Sequence, residues 1–333
     1  MKKVFTLMLS LMLTLALAGC SIEGPPPLKK VTVSEVARSV FYAPQYVAIN
    51  QGFFEEEGLS IELLTGQGAD KVMTAVVAGQ ADIGFSGPEA AIYVANEGRN
   101  NYAVVFAQVT KRDGSFIVGH EKAEPFQWEM LRGKHILGGR QGGVPEMTLE
   151  YVLRKNGLEP GRDINVDTSV QFALMAGAFT GGTADYTTLF EPTASMVEME
   201  GKGYVLCSVG EVSGEMPYTC YYATREYMSS NPETIQKFTN ALYKGQRWVQ
   251  QHTAREIAQS ISVFFPDTDI DLLEKVTQRH KDIDAFMTNP ILRKDSFDRL
   301  QTVMEQAGQL KQRADYAKLV DTSFAQKAVD TIR

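Results

Sequence analysis

The segment LSIELLTGQGADKVMTAVVAGQADIGFS, residues 59–86, decides the fold class of this chain. It opens with alternating apolar and polar side chains, which is typical of a β-strand. Residues 69–80 then carry apolar side chains at the spacing of an amphipathic helix, and residues 81–86 form a second short β-type run. A strand, a helix and a strand in this order predict two parallel strands of one sheet joined by a covering helix.

The same alternation of predicted strands and helices continues on both sides of this segment. VTVSEV (31–36) predicts a strand, and APQYVAINQGFFEEEG (43–58) predicts a helix that ends at Gly58. PEAAIYVANEG (88–98) predicts a helix opened by Pro88, and YAVVFAQV (102–109) predicts a further strand. These elements together predict a parallel sheet with helices on both faces.

A second unit of the same kind follows, and then the pattern changes. Strands are predicted at 115–120, 134–139, 164–170 and 203–209, with helices at 144–157 and around 191–201. The remaining chain is predicted to be mostly helical. Its helix starts are predicted at Asn231-Pro232, at a Thr253 and Glu256 capping box, at Asp269 and at Asp295. The sequence therefore predicts two α/β units in tandem and a helical tail.

The first residues, MKKVFTLMLSLMLTLALAGC, have the pattern of an export signal. Two lysines precede an apolar run that is too short to span a membrane permanently. Leu17-Ala18-Gly19-Cys20 resembles the lipobox of bacterial lipoproteins. This resemblance implies a signal peptide over 1–19, lipidation of Cys20 and a membrane anchor, with residues 20–30 as a proline-rich tether. An ordinary secretory leader with an incidental cysteine remains the alternative.

Composition and charge exclude several classes of protein. The 333 residues carry a formal net charge of -7, with 40 acidic and 33 basic side chains spread along the chain. No basic stripe is available for a phosphate backbone, so nucleic acid is not expected as a partner. Cys207 and Cys220 are expected either to pair in an oxidising compartment or to stay as two buried thiols.

The motifs of common enzyme classes are incomplete in this sequence. The four histidines show no i, i+4 pair, so no metal site is predicted. Gly66-Gln67-Gly68 lacks the third glycine of a dinucleotide loop, because Lys71 stands there, and no cofactor is predicted. Ser86 lies in GFSGP, where Pro88 replaces the second glycine of a nucleophile elbow, and it is expected to cap a helix.

Three strand-to-helix junctions remain as candidate binding loops: TGQGAD (65–70), SGPE (86–89) and GGRQGGVPE (138–146). In open parallel sheets such junctions lie at the carboxyl ends of the strands, where ligands bind. Their glycines let a ligand approach the backbone, and free N–H groups at helix starts suit oxyanions and polar rings. The alternative is that they are only turns and caps. Because they come from both units, one shared site is predicted.

Five stretches carry a family likeness, and they occur in order along the chain: residues 41–63, 75–90, 139–158, 190–195 and 221–228. They resemble substrate-binding proteins of ABC importers, in the group that binds sulfonates, taurine, nitrate or the thiamine pyrimidine precursor. The resemblance implies a type II periplasmic-binding-protein clamshell, with two doubly wound α/β lobes joined by a two-strand hinge. Residues 31–112 and 217–333 would form the first lobe, and residues 113–216 the second, with the hinge near Asp113 and Pro217.

The resemblance also implies which loops face the ligand. Arg38 and Arg140 would hold an anionic head group, or form surface salt bridges. Phe41 and Tyr42 would stack on a ring, or pack under the first helix. Glu89 and Asp113 would suit an amino or ring N–H group, or be solvated. The complete predicted set is Arg38, Ser39, Phe41, Tyr42, Gln67, Gly68, Ser86, Gly87, Glu89, Asp113, Arg140, Gly142, Gly143, Glu191, Tyr218 and Tyr222.

The function expected from this resemblance is that of an extracytoplasmic lipoprotein that feeds an ABC permease and its ATPase. The ligand is expected to be an aromatic N-heterocycle, such as the thiamine pyrimidine precursor, or an alkyl sulfonate or other oxyanion. The protein is expected to be monomeric. Two alternatives stay open: a pyrimidine-metabolising enzyme on the same fold, and a sensory or adhesive lipoprotein. The family's yeast enzyme uses a cysteine-rich iron site, and this sequence has only 3 cysteines.

Overall fold

The computed structural model describes residues 27–98 and 100–333. The predicted signal peptide, Cys20 and most of the predicted tether lie outside these residues. Ten strands are formed in the described residues: β1 Lys29–Glu35, β2 Leu59–Thr65, β3 Ile83–Ser86, β4 Ala103–Thr110, β5 Ser115–Gly119, β6 His135–Leu137, β7 Asn165–Asp167, β8 Tyr186–Phe190, β9 Tyr204–Ser208 and β10 Thr219–Thr224.

Helices connect and cover these strands. They are α1 Ala43–Asn50, α2 Phe53–Glu56, α3 Ala69–Val77, α4 Glu89–Asn96, α5 Val144–Lys155, α6 Met175–Thr180, α7 Thr193–Met199, α8 Val209–Ser213, α9 Arg225–Ser230, α10 Pro232–Gln251, α11 Ala254–Ile261, α12 Ile270–Asp282, α13 Lys294–Gln306, α14 Tyr316–Leu319 and α15 Ser323–Thr331. Short 3₁₀ turns lie at Val40–Tyr42, Trp128–Leu131, Phe172–Leu174 and Ser262–Phe264. Within the described part of the chain, none of the helices has the length and hydropathy that a membrane crossing requires.

The strands form two five-stranded sheets of matching design. The first has the order β2-β1-β3-β10-β4, and the second has the order β7-β6-β8-β5-β9. In the first sheet β10 runs antiparallel to β3 and β4, and in the second β5 runs antiparallel to β8 and β9. The predicted α/β lobes are confirmed, but the expectation of fully parallel sheets is wrong. In each sheet the antiparallel strand is the one that follows a segment connecting the two lobes.

Two adjacent segments carry the chain between the lobes. Residues 111–114 lead from β4 to β5, and residues 214–218 lead from α8 back to β10. Their backbones are hydrogen-bonded, since Met216 N donates to Lys111 O at 2.8 Å and Tyr218 N donates to Thr110 O at 3.2 Å. A two-stranded connection of this kind permits rotation of one lobe about a narrow axis.

Hydrophobic cores cover both sheets, and the core of the first sheet extends across the boundary to Val144 and Met147 of α5. In the second lobe, neighbouring strand residues point to opposite faces of the sheet, as the period of a strand requires. Ile117 and Ile136 pack with α5 on one face, whereas Val118 and Leu137 pack with α6 on the other. In the first lobe, α10 lies against α1 and α15. Helices α10 and α15 of the tail therefore pack with the first sheet and its helices, and α13 contacts α5 across the boundary.

Several local predictions can now be compared with the structure. The helix predicted over 43–58 is broken into α1 and α2, because Gly52 adopts a left-handed φ of 76° between them. The capping box of Thr253 and Glu256 is confirmed, and the Asp269 side chain caps α12.

The helix starts predicted at Asn231-Pro232 and at Asp295 are confirmed to within a residue, whereas the cap predicted at Ser86 is wrong. Asn231 precedes α10, but its side chain donates to Tyr227 O at 3.2 Å instead of capping the helix. Asp295 lies inside the first turn of α13. Ser86 ends β3 and does not cap α4, whose capping position is Pro88. The Asn231 and Ser86 side chains therefore form hydrogen bonds other than the helix caps that the local sequence suggests.

Candidate ligand site between the lobes

The loops that follow the strands of both lobes meet in one region. The Ser39 hydroxyl of the first lobe donates to the backbone carbonyl of Glu191 in the second lobe at 2.9 Å. The Tyr93 hydroxyl on α4 donates to the backbone carbonyl of Gly142, before α5, at 2.9 Å. Gly142 has a φ of 72°, which favours glycine in this tight loop. The carboxyl ends of strands in both sheets therefore face each other across the boundary between the lobes.

Aromatic side chains fill the centre of this boundary. The fully buried Phe41 ring lies 5.5 Å from Tyr218, 6.2 Å from Phe190 and 5.2 Å from His280, measured between ring centroids. Tyr42 packs edge-on against Phe85 at 4.8 Å. Because Phe41 belongs to the first lobe and Phe190 to the second, separating the lobes would expose a flat apolar surface on each side.

Two carboxyl groups are buried at the same boundary. Asp113 lies in the first connecting segment, where its Oδ1 accepts from Ser115 N at 2.6 Å and from the Ser115 hydroxyl at 2.5 Å. Glu89 opens α4, with its Oε1 4.0 Å from an Nη of Arg140. Asp113 Oδ2 and Glu89 Oε2 have no hydrogen-bond partner among the described residues. Each carboxyl group thus keeps one oxygen free at the boundary.

Burial changes the protonation of both groups. It raises the pKa of Glu89 to about 7, against the opposing effects of the Arg140 guanidinium and of the backbone N–H groups of Glu89, Val144 and Ala90. It likewise raises the pKa of Asp113 to about 7, although the Ser115 hydroxyl and backbone N–H favour the charged form. Near neutral pH the protonated and charged forms of each carboxyl are therefore both populated.

Tyrosine hydroxyl groups complete the polar lining. The hydroxyl groups of Tyr222 and Ser86 lie 2.6 Å apart, which links β10 to the end of β3. The Tyr218 hydroxyl is buried and faces the Asp113 carboxyl group, near enough to affect its pKa but outside good hydrogen-bond geometry. Burial raises the pKa of Tyr218 well above its ordinary value, and the carboxyl groups of Asp113 and Glu89 raise it further. The carboxyl groups of Asp113 and Glu89 therefore interact electrostatically with the Tyr218 hydroxyl.

Arg38 and Arg140, the predicted anion-binding residues, are both beside carboxylates. The Arg38 Nε lies 2.8 Å from Glu35 Oε1, and its guanidinium stacks over the Tyr46 ring at 5.5 Å. The Arg140 Nε lies 3.5 Å from Asp70 Oδ1. Each arginine therefore already has a carboxylate neighbour within the protein.

The remaining predicted residues lie in or beside the same loops. Gln67 and Gly68 precede α3, with Gln67 exposed at the rim. Gly87 lies under Glu89, because a Cβ at this position would meet Glu89 Oε2 at 2.0 Å. Gly143 is the residue before α5. Close approach of the backbone, more than side-chain chemistry, explains the glycines in these loops.

Two residues of the site come from α12 and were not predicted from the sequence. Arg279 forms an ion pair with the buried carboxylate of Glu191 and donates to the Ser195 hydroxyl at 3.0 Å. The Glu191 side chain also accepts from Ser195 N at 3.0 Å. His280 is fully buried, and neither of its ring nitrogens has a partner among the described residues. Burial lowers the pKa of His280 to about 3, so its imidazole is neutral.

A groove of about 480 Å³ opens beside the boundary, between α3 and α4. Met73, Val77 and Val94 form its apolar wall, and Asp70 and Arg140 lie at its edge. Within residues 27–98 and 100–333, no group of three or more histidine, cysteine, aspartate or glutamate side chains is placed to hold a metal ion. Cys207 and Cys220 are free thiols in different sheets, so they do not pair.

Two similar α/β sheets, a two-stranded connection and facing strand-end loops define the fold of two-lobed periplasmic binding proteins. The chain belongs to the NMT1-like family, whose model matches residues 24–262. A Bacillus subtilis (strain 168) protein named "Putative binding protein YtlA" is 43% identical over 318 residues, which covers 96% of this chain and 95% of that protein. The family resemblance predicted from the sequence is confirmed.

Solved structures confirm the fold. The alkanesulfonate-binding protein SsuA from Xanthomonas axonopodis pv. citri, bound to MOPS, matches with a TM-score of 0.72 at 16% identity, over 90% of this chain and 100% of that chain. The periplasmic nitrate-binding protein NrtA from Synechocystis PCC 6803 matches with a TM-score of 0.71 at 17% identity, over 93% of this chain and 90% of that chain. At these identities the likeness concerns the fold alone.

Proposed function

We propose that this protein is the solute-binding component of an ABC importer, which holds a small molecule between its two lobes and passes it to a permease without changing it chemically. The observation that supports this proposal is a group of buried polar side chains at a boundary built from both lobes: Glu89 Oε2 and Arg112 Nε have no partner among the described residues, and the Tyr218 hydroxyl faces the Asp113 carboxyl group. Buried polar groups are normally hydrogen-bonded, so such a set is suited to a ligand.

We propose the lobe division 31–112 with 217–333, and 113–216, with the hinge in the two connecting segments. The first sheet draws its strands from 29–110 and 219–224, and the second draws its strands from 115–208. A ligand that contacts both lobes would favour the closed arrangement over the open one. Closure would then be a rigid-body rotation absorbed by a few backbone torsions near Asp113 and Pro217.

We further propose that the protein acts on the outer face of the cell membrane as a monomeric lipoprotein. The leader pattern over 1–19 and the lipobox at Cys20 support this location. The partners would be a small-molecule ligand, an ABC permease and its ATPase. Metabolic labelling with a fatty acid tests the anchor, because the label should enter the wild-type protein and be absent from a Cys20→Ala variant.

A capture experiment tests the binding function. Protein stripped of ligand by denaturation and refolding is mixed with a small-molecule extract, passed through a desalting column and analysed by mass spectrometry. We expect one compound to be retained at near-equimolar amount and to raise the melting temperature. A matched sample of a Phe41→Glu variant, which places a charge at the centre of the boundary, should retain much less. Equal recovery from both proteins, or no retained compound, would contradict the proposal.

A further inference from the structure

We infer that residues 284–306 of the helical tail form a third connection between the lobes, and that its charged contacts with the two connecting segments favour the closed arrangement. We call these residues the brace. This inference rests on the proposed function, because it concerns the closure that a ligand would complete. The family resemblance implied a hinge of two strands and placed the whole tail in the first lobe, so a brace across the hinge is a separate feature of this chain.

The first end of the brace is bonded to the first lobe. β4 is an edge strand of the first sheet, so the backbone groups on its outer side need partners. Met287 N donates to Val109 O, and Lys111 N donates to Ala285 O, each at 2.9 Å. Because Lys111 is the first residue of the connecting segment 111–114, the brace lies along the hinge as well as along the sheet.

The second end of the brace contacts the second lobe. Helix α13 packs against α5, and Phe297 of α13 shares one hydrophobic core with Met147 of α5. Arg299 of α13 donates to the backbone carbonyl of Glu215, in the second connecting segment. Arg293 Nη2 lies 3.2 Å from the carboxylate of the same Glu215. Rotation of the second lobe must therefore move α13 or separate it from α5.

One carboxylate joins the first connecting segment to the brace. Asp284 Oδ2 lies 2.7 Å from Lys111 Nζ and 3.9 Å from Nη2 of Arg112. The Nε of Arg112 is buried and has no partner among the described residues. The side chain of Lys111 is only 13% exposed, so water screens its ion pair less than it screens a surface pair. Two adjacent cations of the hinge thus share the negative charge of Asp284.

The brace and the two connecting segments meet around a cavity of about 190 Å³. Its lining includes Lys111 from the first connecting segment, Glu215 from the second, and Met287, Asn289 and Arg293 from the brace. Close-packed apolar side chains do not fill the space between the three segments here. The ion pairs of Lys111 and Arg293 therefore join the segments at this point.

Rotation about the hinge changes the backbone torsions of both connecting segments. The brace is bonded to β4 of the first lobe and packs on α5 of the second, so it cannot follow both lobes when they separate. Its contacts with Lys111, Arg112 and Glu215 are formed in the closed arrangement and would be strained or lost in the open one. Such a difference shifts the equilibrium toward the closed form.

A variant that carries both Asp284→Asn and Glu215→Gln tests the brace. Both changes keep the shape of the side chain and remove its charge. Asp284 has a left-handed φ of 52°, and asparagine adopts this conformation about as readily as aspartate, so the backbone is not strained by the change. The control is Glu305→Gln, which makes the same chemical change within the brace, at an exposed ion pair with Arg313 away from the connecting segments.

Hydrogen–deuterium exchange of the full-length protein without added ligand, followed by mass spectrometry, measures how often the lobes separate. Peptides that cover residues 39–43 and 190–195 report on the boundary, and peptides from α10 report on the first lobe. We expect boundary exchange to be about threefold to fivefold faster in the double variant than in the wild type. Exchange in α10 and the urea midpoint should be unchanged, and Glu305→Gln should match the wild type throughout.

The other outcomes overturn the inference. Equal boundary exchange in the double variant and the wild type would show that the brace does not affect closure. Equally faster exchange in α10, or the same change in Glu305→Gln, would show a general loss of stability. Recovery of a compound in the capture experiment does not depend on these results, so the proposed function can stand when the brace fails. If no compound is recovered while boundary exchange changes as expected, the proposed function fails and the brace stands.

Discussion

At the residue scale, Glu89 and Asp113 make the stability of the ligand-free protein depend on pH. Burial raises the pKa of both groups to about 7, whereas in an unfolded chain they titrate near 4. Between about pH 5 and 7 the folded protein holds protons that the unfolded chain has released. The free energy of unfolding therefore falls as the pH rises through this range, by up to about 1.4 kcal/mol per pH unit for each carboxyl.

Urea unfolding at pH 5.5 and pH 7.5 measures this dependence. A variant that carries both Glu89→Gln and Asp113→Asn should show a smaller fall, since neither amide titrates, and the remaining fall is expected from Glu146, whose pKa burial also raises to about 7. The exposed Glu233→Gln variant should keep the wild-type dependence. The same fall in stability in the double variant and in the wild type would show that these carboxyls do not titrate as described.

Arg38 is expected to act through stability more than through direct contact with a ligand. Its partner Glu35 has no exposed side-chain surface and also accepts from the Tyr46 hydroxyl at 2.9 Å. An Arg38→Met variant would leave this carboxylate without its counter-charge, at a cost of about 2 kcal/mol in the free energy of unfolding.

Urea denaturation compares this variant with one that carries Glu35→Gln in addition. The added change should restore part of the loss, because it removes the uncompensated charge. A loss of ligand affinity with unchanged stability would instead place Arg38 in the binding site.

At the scale of elements, α12 joins the lobes through the ion pair of Arg279 with Glu191. An Arg279→Met variant should favour separated lobes by about 1 kcal/mol, a factor of about five in the ratio of closed to open molecules. Small-angle X-ray scattering should then show a larger radius of gyration without ligand. An Arg255→Met variant removes ion pairs within the first lobe, to Asp271 and Glu274, and should not change it. An equal response of both variants would contradict a role for α12 in closure.

The elements were predicted well where their periodicity was local. The strands and helices of residues 59–86 follow directly from the alternation and the helical spacing of their apolar residues. Strands β8 and β10 were not predicted. The middle of β8 is buried on both faces and β10 is buried along its whole length, so neither has an alternating pattern. The antiparallel direction of β5 and β10 depends on connections between lobes, which local pattern does not contain.

The candidate site was predicted in part. Loops from both units were placed together correctly by the rule that ligands bind at the carboxyl ends of strands. The pairing of Arg38 with Glu35 depends on how the chain turns after β1, so composition gave no sign of it. Arg279 and His280 lie on a helix of the tail, far along the chain, in a segment that looked like ordinary packing. Only the folded chain brings α12 to the 3₁₀ turn at 40–42.

At the scale of the whole molecule, the proposed binding function requires that the lobes move relative to each other around a bound molecule. The described structure has the lobes in contact through Ser39, Phe41, Tyr93 and Arg279. Entry of a ligand to Glu89 and Asp113 requires these contacts to open, because both side chains are buried. A ligand that bridges the lobes then shifts the population back to the closed form in proportion to its extra contacts.

Small-angle X-ray scattering of the stripped protein, recorded with and without the compound retained in the capture experiment, measures whether the lobes close around that compound. We expect the radius of gyration to fall on saturation with the compound and to rise again when the compound is removed. The Phe41→Glu variant, mixed with the same compound, should give an unchanged profile. Identical profiles for the free and saturated wild-type protein would contradict closure of the two lobes around a ligand.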